Sequence, residues 1–213
     1  MRKLILLFLA AIFLCMTSNV GAVPTSVYLT KTDNTSTSGG PFNVYLWDTT
    51  TLLFQTFCVE RTEYISLNTR YYASFDAAAY SGGLNYGPSD SEGGDLLGGQ
   101  AAWIYQTWRN GNPFSWSYAD VNQSIWSWED ELGENSTPDI DISIYFSSQI
   151  NMENALAGAL AVTRVMNLYT DEALTDEVQS QLAPVPEPAT MLLLGIGLVG
   201  LAGLGRKKFL KKS

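Results

Sequence analysis

Leu52-Leu53-Phe54-Gln55-Thr56-Phe57-Cys58-Val59 joins aliphatic, aromatic and β-branched side chains without a glycine or proline, which is the composition of a strand. Segments of the same character lie at 26–30, 42–47 and 70–74, and Asp33-Asn34-Thr35-Ser36-Thr37-Ser38-Gly39-Gly40 supplies turn chemistry between the first two. The first half of the chain therefore reads as successive strands. A glycine-rich loop follows from 81 to 94, through Gly82-Gly83, Gly87-Pro88 and Gly93-Gly94. It is too long for an ordinary connection and is expected at the surface.

Beyond that loop the apolar period changes. Ala101, Ala102, Ile104, Tyr105 and Trp108 recur at helical spacing, and Val121, Ile125, Trp126 and Trp128 allow a second helix. A third helical stretch is read over 150–166, with Ala155, Leu156, Ala159 and Leu160 on one face. Asn151 or Ser148 is its expected cap, and Glu153 is placed near the positive end of its dipole. The segment 177–185 extends again, and Pro184, Pro186 and Pro188 open a linker after it. Several strands, a group of helices and a returning strand make an α+β fold: a β-sandwich or barrel with an inserted group of short helices, plus a C-terminal transmembrane helix.

That last helix is read from the tail. Val185-Pro186-Glu187-Pro188 precedes an apolar run over 189–205, and Arg206-Lys207-Lys208-Phe209-Leu210-Lys211-Lys212 follows it. The run holds 17 residues and no charge, so as a helix it reaches about 25 Å, the low end for crossing a bilayer. The basic cluster stays in the cytoplasm, which places everything before Pro186 on the outer side. Pro-Glu-Pro, a short glycine-rich helix and a terminal basic cluster resemble the PEP-CTERM sorting signal of Gram-negative bacteria. The resemblance covers 185–213 and implies an exosortase partner that recognises Pro186, Glu187 and Pro188 and processes the chain for export to the cell surface or exopolysaccharide matrix.

The other end agrees with export. Arg2 and Lys3 precede an apolar stretch over 4–16, and Val20-Gly21-Ala22 supplies small residues for cleavage, as in a secretory signal peptide over 1–22. Cys15 follows Leu14, where lipoprotein processing wants a small side chain, so lipidation is set aside. The body is then a single domain over 23–184, held transiently at the inner membrane on the periplasmic side before it reaches the surface or matrix. It carries five cations against 20 carboxylates, a net charge of −15. Such a surface repels phosphate backbones and argues against nucleic acid as a partner. The chain has no histidine, which removes the usual general base of serine and cysteine hydrolases and the commonest zinc ligand. No catalytic residue, cofactor or metal ligand is assigned, and the chain is read as a non-enzyme.

With Cys15 lost to the signal peptide, Cys58 is the one thiol of the body, so it closes no internal disulfide. Its surroundings, Phe54-Gln55-Thr56-Phe57-Cys58-Val59-Glu60-Arg61, together with Ala101-Ala102-Trp103-Ile104-Tyr105, Val121-Asn122-Gln123-Ser124-Ile125-Trp126 and Gln179-Ser180-Gln181-Leu182, resemble bacterial surface thioester domains. Those share an aromatic-Cys-aliphatic motif, a Gln-x-Ala-aliphatic-Trp helix motif and a later glutamine. The resemblance implies a buried thioester of Cys58 with Gln179 or Gln181, which a surface amine opens. The helix motif departs from the pattern: Asn122 stands where it has glutamine and Ser124 where it has alanine, while Gln123 falls one position off and is the lesser candidate.

Trp103, Trp108, Trp126 and Trp128 at helical spacing are read as core, while Trp116 in a loop is the better surface candidate for stacking on a sugar. Glu129-Asp130-Glu131 and Asp139-x-Asp141 fit no calcium-loop spacing and are read as solvated faces. The leading expectation is an exported structural or adhesive protein of the surface or extracellular matrix. A non-covalent module for matrix polysaccharide is the alternative, and a carboxylate-pair hydrolase is the poorest reading because nothing links two acids to a cleft.

Overall fold

The computed structural model describes residues 25–32, 39–80, 93–133 and 136–185. The expected signal peptide, residues 81–92 of the glycine-rich loop and the expected transmembrane helix over 189–205 lie outside them. Among the described residues no helix is long and apolar enough to cross a membrane.

Strands β1 (Thr25–Lys31), β2 (Phe42–Leu46), β3 (Leu52–Thr56) and β4 (Tyr71–Asp76) form where the sequence places them. Alternation explains their packing: Val27 and Leu29 on β1, Phe42 and Val44 on β2, and Tyr71 and Ala73 on β4 are buried, while the residues between them are partly exposed. A short pair, β5 (Ala78–Ala79) and β6 (Asp95–Leu96), leads to helices α1 (Gly99–Arg109) and α2 (Tyr118–Trp128). A 3-10 turn at Ile142–Tyr145 precedes α3 (Gln149–Ala161), and strands β7 (Thr163–Tyr169) and β8 (Glu177–Pro184) complete the body. The α+β class, with an antiparallel sheet and helices inserted between its strands, is the architecture observed.

One expectation is corrected. The helix read over 150–166 ends at Ala161, and Thr163–Tyr169 is a strand. Ser148 caps α3 by accepting the Asn151 amide. The β-branched Thr163 and Val165 then enter a strand paired on both sides, with β4 and with β8. Burial on both faces removes the alternation that marks a strand in sequence, so an apolar run there passes for helix.

The sheet order is β3-β2-β1-β4-β7-β8. Its two end strands also meet. Past β3 the chain continues as 57–59 and pairs with β8: the Leu182 amide donates to Phe57 O at 2.9 Å and the Val59 amide to Ser180 O at 3.0 Å. The Thr56 hydroxyl adds a bond to the Leu182 carbonyl. A few edge groups of β8 that would otherwise face solvent are thereby satisfied, and the end of β3 is joined to β8 over this short stretch.

Two cores result. Val27, Leu29, Phe42, Val44, Tyr71, Met166 and Leu168 fill one within the sheet. The other lies between sheet and helices, where Phe57, Val59, Val165 and Leu182 meet Ile104, Tyr105, Val121 and Ile125. The turn before β2 packs tightly on α2. A methyl group on Gly39 would lie 2.1 Å from the Asn122 side-chain oxygen, and Asn122 is only 2 % exposed. Gly39→Ala is therefore expected to cost about 1–3 kcal/mol by overpacking, read by urea unfolding. Adding Asn122→Ala should make the pair less destabilising than the sum of the two single changes.

Candidate functional site

Cys58 leaves the regular ladder of β3 and is held by two neighbours. Its amide donates to Gly39 O at 2.9 Å, and across the closure it forms an isolated antiparallel bridge with Gln181 of β8. Directly opposed residues of an antiparallel pair project to the same face, with Cβ atoms about 4.5–5.5 Å apart. Both residues are 0 % exposed. The structure thus sets Cys58 and Gln181 opposite one another on paired strands, away from water.

The groups around them are polar and tightly used. The Gln181 amide nitrogen donates to Gln179 Oε1 at 3.2 Å, whereas Gln181 Oε1 is buried without a hydrogen-bond partner. Gln179 donates to Glu60 O at 3.0 Å and Glu63 O at 2.5 Å, so its amide already holds the chain that follows Cys58. Glu60, two residues beyond Cys58, accepts the Ser180 amide at 2.7 Å on one carboxyl oxygen, while the other is buried and unpaired. From α2, Asn122 and Trp126 face this region one turn apart, Asn122 against Gly39 and Trp126 against the thiol.

Burial dominates the electrostatics. It pushes the Cys58 thiol well above its ordinary range, the Glu60 carboxyl adds to the rise, and the Trp126 side chain opposes it. Glu60 is itself raised, chiefly by burial, with the Ser180 amide opposing and Glu63 reinforcing. Both groups are driven toward their protonated forms.

Of the three glutamines singled out in sequence, Gln181 lies opposite Cys58 and Gln179 lies beside Gln181. Gln123 is exposed on α2 and is not brought to the thiol. It borders instead a cavity of about 350 Å³ shared with Glu63, Tyr64, Trp126 and Gln179. Glu60 and Asn122 were not singled out as site residues. The period-two spacing of Glu60 from Cys58 was the available signal for the first; for the second it was the four-residue spacing from Trp126.

A second acidic group corrects the expectation for 129–131. Glu129 and Glu131 are buried, at 5 % and 2 % exposure. Glu129 follows the last turn of α2 and accepts the Gly98 amide on both oxygens, at 3.0 and 3.3 Å, satisfying a donor at the start of α1. Glu131 accepts the Arg61 amide at 3.1 Å. Unpaired helix-end and loop amides draw these carboxylates inward. Asp139 and Asp141 are exposed, as expected. Trp108 and Trp126 are buried, whereas Trp116 is half-buried and ring-packed against Trp103, Phe114 and Tyr145.

The body's last described strand ends where another signal begins. Residues 184–207 match the PEP-CTERM protein-sorting motif. With this motif the chain is an exported protein that an exosortase processes, associated transiently with a membrane before processing. Pro186, Glu187 and Pro188 fall inside the PEP-CTERM match and outside the described residues. No curated protein and no solved structure matches the chain.

The raised carboxyls fix a pH dependence for the body. Burial lifts Asp95 from 3.8 to about 6, Glu177 from 4.5 to about 7 and Glu129 from 4.5 to about 8, with Glu131, Glu63 and Asp95 respectively as the next causes. A carboxyl with a raised folded pKa binds more protons folded than unfolded, so stability falls as pH rises from near 4 to near 8. Asp141 and Asp171, both lowered, act below that window. Thermal melting should be several degrees higher at pH 5 than at pH 8, and Glu129→Gln should flatten the difference.

Proposed function

We propose that the exported body is an adhesive or structural protein of the surface or matrix, armed by an internal thioester between Cys58 and Gln181. The observation that carries this reading is the cross-strand bridge that sets a fully buried thiol against a fully buried carboxamide. In the forming step the Cys58 sulfur attacks Gln181 Cδ. The S–C bond forms, the C–N bond breaks, the thiol proton passes to the leaving nitrogen, and ammonia departs. Glu60, close enough to raise the thiol and driven toward its protonated form, is the group placed to relay that proton. Exclusion of water protects the product from hydrolysis.

Aminolysis reverses the bookkeeping. A primary amine attacks the carbonyl carbon, the sulfur leaves with a proton from the amine, and an amide joins the chain to its partner. We assign the approach to the 350 Å³ cavity beside Trp126 and Gln179, whose wall carries one cation, Arg61, and one carboxylate, Glu63. The protein ends as half of a covalent link and does not turn over, in keeping with a non-enzyme.

Two measurements test this reading. The intact mass of the exported protein is expected to fall short of the sequence mass by one ammonia, to rise by one methylamine on treatment with that amine, and to match the sequence in Cys58→Ala and Gln181→Ala but not in Gln179→Ala. Full sequence mass in the parent, with Cys58 alkylated only after unfolding, leaves the thiol as packing. For sorting, Glu187→Ala should abolish processing and leave membrane insertion intact; processing at the parent rate would break the link between this motif and the exosortase.

A further inference from the structure

Two cavities merge along the face opened by the end of α1 and the start of α2. One, of about 670 Å³, is lined by Leu52, Gln55, Trp108, Arg109, Asn110 and Tyr118 among others, and the next, of about 620 Å³, runs past Ser115, Trp116 and Ser117. They share Gly111, Asn112 and Tyr118, so they make one continuous groove.

Its chemistry differs from that of the rest of the body. No aspartate or glutamate lines either cavity, although the region 23–184 carries a net charge of −15. The 350 Å³ cavity holds both Arg61 and Glu63, and a 400 Å³ cavity at the start of α1 holds Asp95, Glu129 and Asp130. The groove instead holds Arg109, exposed at the last turn of α1, which makes no ion pair among the described residues. The Asp120 carboxylate, which accepts the Ser117 amide at 2.9 Å, stands by the far end of the groove, so the guanidinium dominates only the end formed by α1.

The floor and wall are rigid. Gly111, Asn112 and Ser115 adopt positive φ of 110°, 46° and 56°, a conformation that costs free energy at the non-glycine positions and is often found at ligand clamps. The Asn112 side chain spans the bend, donating to Trp116 O at 2.8 Å and accepting the Trp116 amide at 2.9 Å. Trp116 is further fixed by a bond from its ring nitrogen to Tyr145 Oη at 3.1 Å. Tyr118 and Trp116, both half-buried, therefore line the groove at fixed positions.

We propose that this groove binds an acidic oligosaccharide, with sugar C–H faces on Tyr118 and Trp116 and a carboxylate on the Arg109 guanidinium. Fixed rings beside side-chain amides suit pyranose faces and hydroxyls, and the planar guanidinium suits a bidentate carboxylate. A nucleic acid is a poor fit, because such partners are held by many phosphate contacts and this groove has a single cation. The inference does not depend on the Cys58 thioester.

The test uses the full chain in detergent with tetragalacturonate as probe and its methyl ester as the uncharged control of the same shape, by calorimetry. The acid is expected to bind about tenfold tighter than the ester, and added salt should weaken only the acid. Arg109→Gln should remove the preference while leaving ester binding and melting temperature unchanged. Tyr118→Ala should weaken both probes, and Cys58→Ala neither. Equal affinity for acid and ester, an Arg109→Gln variant that keeps the preference, or no binding of the acid at millimolar concentration would each overturn the proposal.

Discussion

The pairing of 57–59 with β8 is the constraint on which the rest of this structure hangs. Two backbone bonds and the Thr56 hydroxyl join the first half of the chain to its last strand. They tie the two ends of a six-stranded sheet together over residues 56–59 and 180–182. The same closure divides the apolar side chains into an inner core and a helix-facing core, and it brings Cys58 to Gln181. Fold and candidate site are therefore one event: a chain that has not closed has no thiol-carboxamide pair.

Charge organises the molecule at a second level. The body carries 15 more carboxylates than cations, yet several acids are drawn inside, where backbone amides receive them. Glu60 meets the Ser180 amide, Glu129 the first turn of α1, and Glu131 the Arg61 amide. Each bond ties a loop or helix end to the frame at the cost of desolvating a carboxyl, and this appears as raised pKa values. The groove beside Arg109 is left clear of acids in the same distribution.

Much of this was legible in the residues. Alternating burial in 25–31, 42–46 and 71–76 follows the sequence pattern directly, and the helices at 99–109 and 118–128 follow the 3.6-residue spacing of Ile104, Trp108, Val121 and Ile125. The strand at 163–169 was hidden because neighbours on both sides remove its alternation. Which glutamine meets Cys58 was also hidden. Gln179 and Gln181 differ by two positions, and the bonds of Phe57 and Val59 to Leu182 and Ser180 decide which of them stands opposite Cys58. Glu129 and Glu131 resemble a solvated acidic turn until the amides they serve are in place. Only the tail carried its meaning in linear order, because its reader is a separate enzyme and short contiguous residues suffice.

The Val185 amide still bonds to Val162 O at 2.9 Å, so the described body is hydrogen-bonded up to the residue before Pro186. A load applied through the tail while it is tethered thus arrives directly on β8. That strand is flanked by β7 on one side and by 57–59 on the other, and tension along its axis must shear both sets of hydrogen bonds together rather than unzip them singly. A covalent crosslink from Gln181 to Cys58 would bear that tension three residues before the strand's end and pass it to the chain's first half.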